Sequence, residues 1–396
     1  MKSLPVQKLA EIALIVPGRH LVEAQHNRSG KGIPYLTGPS DFGITIASAT
    51  RWTDTPDVMC LPEDILVTVK GNGVGRTNYA PTEPACIGRQ LMAVRAKSGE
   101  SSPRYLFHAL RHNFKRLADL AIGATVPGLS IHHLANLTLP TPQIEDQHRI
   151  AAELDEQLGA IDEARAAAER RVAAAEALEA ALLREHFHGL TPVLIGLPKE
   201  AAPAGWKWTR LVELADLESG HTPSRKHPEW WGGDIPWIAL PDIRALDGKV
   251  AMETKGYPTA EGIANSSARI LPKDTVVFGR DVQVGFTTIM GRPMATSQHF
   301  FNWVCGKDLN PRFLMHALRA SKTYMESMSS GAIHQTIYMP AAREFHLCHP
   351  ARKSQESLAA ALTTRLADAA TLLSAARAEL AAIQALPAAA LRRVFS

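Results

Sequence analysis

The 396-residue chain repeats itself at long range. Ile33-Pro34-Tyr35-Leu36 returns 202 positions on as Ile235-Pro236-Trp237-Ile238. Leu61-Pro62-Glu63-Asp64 returns as Leu271-Pro272-Lys273-Asp274. Pro103-Arg104-Tyr105-Leu106 returns 208 positions on as Pro311-Arg312-Phe313-Leu314. The same 208 carries Gly123-Ala124 to Gly331-Ala332, Leu139 to Leu347 and Gln147 to Gln355. Solenoid units run to roughly 20–50 residues, so a period this long means two copies of a whole domain. The copies share a plan and differ in side chains, so two like faces can read different things.

Each copy has a mixed part and then a helix. Short β-rich runs such as Ile65–Val69 and Thr275–Phe278 are punctuated by Gly, Pro and Asn. Apolar residues then recur every three or four positions: Ile150, Leu154, Leu158, Ile161 and on to Leu182, and again Leu358, Leu362, Leu366, Ala369, Leu372 and on to Ile383. That spacing lays one stripe along each helix, among Ala, Glu and Arg that favour helix. Pro142 and Pro350 mark the helix starts. Gly189, Pro192, Gly196 and Pro198 close the first helix and open a linker, and Pro387 is expected to break the second helix. Forty residues make a rod of roughly 60 Å. Rods that long, with a narrow Leu/Ala stripe, are expected to pack antiparallel on each other as a spacer.

Composition narrows the class. At 45% hydrophobic and 21% charged, the chain has material for ordinary globular cores. No run of about 20 apolar residues suggests a membrane span, and Met1–Ala10 lacks a signal pattern. Cys60, Cys86, Cys305 and Cys348 lie far apart, which suits a reducing compartment; a cytoplasmic location is expected. Charge divides unevenly. Residues 1–142 hold 15 Lys and Arg against 10 Asp and Glu, while 143–200 hold 6 against 12. Residues 201–350 hold 16 against 14, and 351–396 hold 6 against 3. An anionic partner is drawn to the globular copies and kept from the first helix.

Signatures of chemistry are missing. There is no Gly-x4-Gly-Lys-Ser/Thr, no Asn-Pro-Pro-Tyr-type tetrapeptide, no Gly-x-Ser-x-Gly and no His-Glu-x-x-His. Pro241-Asp242 with Asp247-Gly248-Lys249 mimics part of a nuclease pattern, but copy one has no matching Asp-x-Lys. His132-His133 and His186-Phe187-His188 read as exposed or capping histidines ahead of metal ligands. Gly71-Asn72-Gly73-Val74-Gly75-Arg76 reads as a tight hairpin turn needing positive φ. Its counterpart Gly279–Gly285 keeps two glycines and exchanges the polar residues.

Several segments together resemble the specificity subunit of type I restriction-modification systems, over nearly the whole chain. They are Gly205-Trp206-Lys207-Trp208, Ser219-Gly220-His221-Thr222-Pro223-Ser224, Trp230-Trp231-Gly232-Gly233-Asp234, and the helix entry Leu139-Pro140-Thr141-Pro142 with Glu145-Asp146-Gln147. Copy one lacks the Trp-Trp-Gly-Gly segment, and copy two's helix entry lacks the Glu-Gln pair.

The resemblance implies a mixed α/β fold with pseudo-twofold character, in which two target-recognition domains are joined by two long antiparallel helices forming a coiled-coil spacer. The expected divisions are 1–142 and 199–350 for the recognition domains, 143–198 for the first helix with its linker, and 351–396 for the second helix. It implies a non-catalytic subunit that reads a bipartite target in double-stranded DNA. Two methyltransferase subunits would dock on it and motor-nuclease subunits would join for cleavage. S-adenosylmethionine, ATP and Mg²⁺ would sit on those partners, with no cofactor and no membrane for this chain. A DNA-recognition subunit of another methyltransferase-based defence system, a non-DNA coiled-coil scaffold and a stand-alone nuclease are the alternatives.

Base reading calls for Arg or Lys at guanine and Asn or Gln at adenine, while hydroxyls and cations hold phosphates. The candidates in copy one are Lys31, Arg51, Lys70, Asn72, Arg76, Asn78, Arg89 and Gln90. In copy two they are His221, Thr222, Ser224, Arg225, Lys226, Arg280, Gln283, Gln298, His299, His334 and Gln335. Trp206, Trp208, Trp230, Trp231 and Trp237 are expected to pack a buried corner rather than stack on bases.

Overall fold

A computed structural model describes residues 5–71, 73–121, 128–329 and 336–396. The chain divides into two compact units. Met1–Glu169 with Ala378–Ser396 make the first, and Arg170–Arg377 the second. Both long helices, Ile144–His186 and Arg352–Phe395, therefore contribute to both units.

The first unit begins with β1 (Val6–Lys8), β2 (Ala13–Pro17), β3 (Ile33–Leu36), β4 (Arg51–Thr53) and β5 (Met59–Cys60). It continues with β6 (Ile65–Thr68), β7 (Thr77–Tyr79), β8 (Ala85–Ile87), β9 (Leu91–Ala96) and β10 (Thr138–Pro140). They form sheets ordered β2-β9-β6-β7 and β4-β3-β8-β5, with β1 paired to β10. In the second unit come β11 (Val193–Ile195), β12 (Trp206–Arg210), β13 (Ala215–Ser219), β14 (Trp237–Ile238) and β15 (Val250–Ala251). Then follow β16 (Val276–Gly279), β17 (Thr287–Met290), β18 (Ala295–Thr296), β19 (Phe300–Cys305) and β20 (Phe345–Pro350). Their orders are β13-β19-β16-β17-β15, β14-β18 and β11-β20-β12.

The repeat is literal in the pairing. β3 runs parallel to β8 with Leu36 opposite Ile87, as β14 runs parallel to β18 with Ile238 opposite Thr296. The β6–β7 hairpin turn uses Gly71, Gly73 and Gly75 at positive φ, and Gly285 repeats Gly75 at the same φ of 87°. Val74 and Val284 are buried in the two turns, which fixes both loops from beneath. Val193–Ile195 falls in the stretch expected to be linker, yet β11 adds a strand beside β20.

Gln147 and Gln355 seat the two long helices in the same way. The Oε1 of Gln147 accepts from the Ser102 N–H at 2.9 Å, and its Nε2 donates to the Glu100 and Pro142 carbonyls. The Oε1 of Gln355 accepts from the Asn310 N–H at 2.9 Å, and its Nε2 donates to the Asp308 and Pro350 carbonyls. Every partner is shifted by 208. About two turns further on, buried His108 meets Asp155 and buried His316 meets Thr363, again at that offset. Burial pushes the His316 imidazole down to about 3. Burial also lowers His108, against the opposing pull of Asp155.

The helices pair antiparallel within each unit. In the first, Arg393 donates to Gln157, and Ile161 lies with Leu386 and Ala389 along one groove. In the second, Arg365 pairs with Glu185 and Arg377 with Glu176. The acidic first helix and the basic second helix thus answer one another's charge. Coverage of the stripe is uneven: Leu154 and Leu362 are buried, but Leu372 is 58% exposed.

Pro387 does not break the second helix, which continues to Phe395. Proline inside a helix costs about 3 kcal/mol. Beyond it Leu391 and Phe395 enter the core of the first unit, and burying two such side chains contributes about 1.5–3 kcal/mol each.

Candidate nucleic-acid interface

One place is built alike in the two units. In the first, the turn after β2 is pressed onto the turn after β8. The Arg19 N–H donates to the Ile87 carbonyl at 3.0 Å, and the Leu21 N–H donates to the Tyr35 hydroxyl. In the second, the His221 N–H donates to the Thr296 carbonyl at 2.9 Å, and the Trp237 indole N–H donates to the His221 carbonyl. Gly18 and Gly220 make the approach possible. A Cβ on Gly18 would lie 2.3 Å from the Gly88 carbonyl oxygen, and one on Gly220 would lie 2.2 Å from that of Ser297. No larger residue fits. The buried rings of Tyr35 and Trp237 therefore pin the same loop with different polar groups.

What the frame presents differs. In the first unit a cleft of about 300 Å³ brings together Arg51, Arg89 and Gln90 with His20, His26 and Ser40. No carboxylate is among the described residues lining it. Buried Asp41 holds the lining residue Thr37 in place, accepting from the Thr37 N–H and hydroxyl and from the Thr50 hydroxyl. In the second unit, backbone pairing puts Gln298 where Arg89 stands and His299 where Gln90 stands. The Gln90 carbonyl accepts from Val69, as the His299 carbonyl accepts from Arg280. Thr222 donates to the Gln298 side chain. The exposed Arg225 guanidinium lies 3.8 Å from the Trp231 ring centroid and 5.5 Å from that of Trp237. Such contacts hold a cation in one orientation while leaving its N–H groups free. Ser224 accepts from the Trp231 indole through its carbonyl and from the Lys226 N–H through its hydroxyl.

The remaining expected residues have varied surroundings. Asn78 is buried, and its amide donates to the Gly43 carbonyl. Gln283 donates to the Leu240 carbonyl. The Arg280 guanidinium lies over Phe301, 5.1 Å from the ring centroid. His299 meets Asp281, which also accepts from Thr336. Lys31 pairs with Asp54, and Lys70 is exposed at the end of its strand. Arg76 lines a separate cleft. Asn72, His334 and Gln335 lie outside the described residues. Trp206 packs on Phe187 and Phe313 and Trp230 stacks with His227, and both are only half-buried.

Sequence reasoning passed over Arg19 and His20. The 202-residue offset that links Tyr35 to Trp237 also links them to His221 and Thr222, so the signal was there. The residues of the nuclease-like pattern serve the fold. Asp242 accepts from the Ala239 and Lys255 N–H groups, and Asp247 accepts from the Thr287 N–H. His133 caps the helix Ile131–Ala135 together with Ser130. Among the described residues no group of three or more His, Cys, Asp or Glu is arranged to hold a metal ion. No described helix is long and apolar enough to cross a membrane.

The family model for the type I restriction modification DNA specificity domain matches residues 2–166 and again residues 203–381. The chain belongs to this family. The specificity-domain match is thus itself double, as the repeat requires. Among relatives, the type I restriction enzyme MjaIX specificity subunit of Methanocaldococcus jannaschii is 24% identical over 163 residues, which is 41% of this chain and 38% of that protein. The putative MjaX specificity subunit of the same organism is 29% identical over 140 residues, 35% of this chain and 32% of that one. The matches thus span well under half of these relatives' own length. Solved structures agree on the fold. A chain from a study of complex assembly and conformational transition of the type I R-M system superposes with a TM-score of 0.77 at 17% identity, covering 99% of this chain and 97% of the other. The HsdS subunit from Thermoanaerobacter tengcongensis gives 0.65 at 17% identity, covering 100% and 97%.

Proposed function

We propose that this chain is the DNA-recognition subunit of a type I restriction-modification complex, reading a two-part target with one head per unit. The observation that carries the reading is the duplicated loop pair held by Gly18 and Gly220, which presents Arg89 and Gln90 in one unit and Gln298 and His299 in the other. Guanine and adenine edges in the major groove are matched by Arg and by Gln respectively. Arg51, Lys31 and Lys70 in the first head, and Thr222, Ser224, Arg225 and Lys226 in the second, are the further contacts to bases or phosphates. The recognition heads correspond to 1–142 and 199–350, with 143–198 and 351–396 carrying the helices that separate the half-sites.

In this reading two methyltransferase subunits dock on the chain, bind S-adenosylmethionine and take the target adenine out of the stack. Motor-nuclease subunits bring ATP and Mg²⁺. The chain itself needs no cofactor, since its part is binding and positioning. The test is co-expression with a methyltransferase subunit, followed by mapping of methylated adenines. A split, asymmetric motif is expected, and Arg89→Ala should relax one half alone. Methylation without sequence preference would refute the reading.

A further inference from the structure

The two units treat one arginine differently. Arg319 in the second unit is mostly buried between two carboxylates, Glu179 and Asp247. Its counterpart 208 positions earlier is Arg111, which is exposed and has no hydrogen bond or ion pair among the described residues. Both acids are missing there. The counterpart of Glu179 is Pro387. The Thr45 carbonyl accepts from the Tyr79 N–H as the Lys249 carbonyl accepts from the Ile289 N–H, so Gly43 stands where Asp247 stands. A second cation is added: Arg76 occupies the place of Phe286, since both carbonyls accept from the residue that ends the preceding strand.

Arg76 and Arg111 open into a cleft of about 490 Å³ in the first unit. Phe42, Ile44, Phe107, Phe114 and Leu391 give its walls a large apolar share, beside Thr77 and Asn78. Ile44 is 98% exposed at the rim. Asn78 lines the cleft at 2% exposure, and its Oδ1 has no hydrogen-bond partner among the described residues. The cleft shares no lining residue with the one that holds Arg89 and Gln90.

We propose that the Arg76–Arg111 cleft docks a segment of a partner protein that carries carboxylates beside an apolar anchor. Two free guanidinium groups supply the charge complementarity, and Phe42, Ile44 and Phe114 take the anchor. A DNA backbone satisfies the arginines alone and gains nothing from covering Ile44 and Phe114. Arginine with aromatic neighbours in a desolvated pocket is the usual make-up of a protein–protein anchor. Resting on the function proposed above, the methyltransferase subunit is the chain that supplies the segment.

Pro387→Glu restores the acid of the sister unit and removes a proline from a helix, so it tests the charge without threatening the fold. The full chain is titrated with a fluorescein-labelled Glu/Leu peptide, with a Lys/Leu peptide as control, and separately with a mixed-sequence DNA duplex. The expected result is binding of the acidic peptide alone, weakened at least tenfold by Pro387→Glu and by Arg111→Ala, with duplex binding unchanged. Equal peptide binding by all three proteins, or none by the wild type, overturns the proposal. A loss of duplex binding in the variants also overturns it, and assigns the arginines to phosphate. If the functional reading fails, the wild type binds no duplex and captures no methyltransferase, and the peptide titration still decides the cleft.

Discussion

The ring of Phe395 lies with its centroid 5.3 Å from that of Tyr105, and the ring of Phe187 lies 5.5 Å from that of Phe313. The two pairs are one contact made twice, since 208 positions separate both Phe187 from Phe395 and Tyr105 from Phe313. Each unit's core is thus completed by the far end of a long helix. Phe187→Ala should cost about 3–5 kcal/mol, as truncation of a buried aromatic does. Phe395→Ala should cost less, because Phe395 keeps some exposure. Hydrogen exchange should rise in the second unit for the former and in the first for the latter. Uniform loss of protection across both units would contradict this.

Gln147→Ala and Gln355→Ala should be equally harmful. Each leaves one buried or part-buried backbone N–H and two carbonyls without their side-chain partner, and an unsatisfied buried group costs about 1–3 kcal/mol. Urea unfolding of the two variants checks the prediction. A variant indistinguishable from wild type would show that its glutamine does not seat the helix.

Arg225→Ala should weaken DNA binding by about 1–3 kcal/mol and alter the second half-site only. Trp231→Ala should reproduce the effect in milder form, because the ring only orients the guanidinium. Adenine-methylation maps of both variants give the answer. Changes in the first half-site would count against independent heads.

Acid should destabilise the second unit. The folded pKa of His316 is held down to about 3, whereas an imidazole in the unfolded chain titrates near 6.5. The unfolded state therefore takes up a proton first. The stability contributed by neutral His316 is complete above about pH 6.5 and is lost as pH falls from there towards 3, with a slope on the order of 1 kcal/mol per pH unit. Burial lowers His186 and His349 too, and they act in the same sense. Melting curves between pH 7 and 4.5 should fall less steeply for His316→Gln than for the wild type. Parallel curves would remove His316 from the account.

Much of this was legible in the sequence because the repeat compares the chain with itself. Gln147 and Gln355 and the two helices lie on one offset of 208, and the turns at Gly75 and Gly285 lie close to it. Burial of polar residues was not legible. Asn78 follows a Gly-rich stretch that reads as a surface loop, and partners distant in sequence such as the Gly43 carbonyl help to bury it. Pro387 read as a break because its local cost is plain, while the anchoring of Leu391 and Phe395 is set more than 280 residues away, at Tyr105. Val193–Ile195 read as linker because three residues carry no period. Arg19 and His20 are harder to read because after Pro17 their loop has none of the Ser, Thr and Pro that mark Ser219–Ser224.

The seating of Leu391 and Phe395 in the core of the first unit has a consequence for biosynthesis. Ribosomes add roughly 5–20 residues each second, so the pieces of the first unit leave the tunnel on the order of ten to forty seconds apart. Throughout that interval the nascent chain carries an unfilled apolar socket, and chaperone binding to it should end only when the last helical turn arrives.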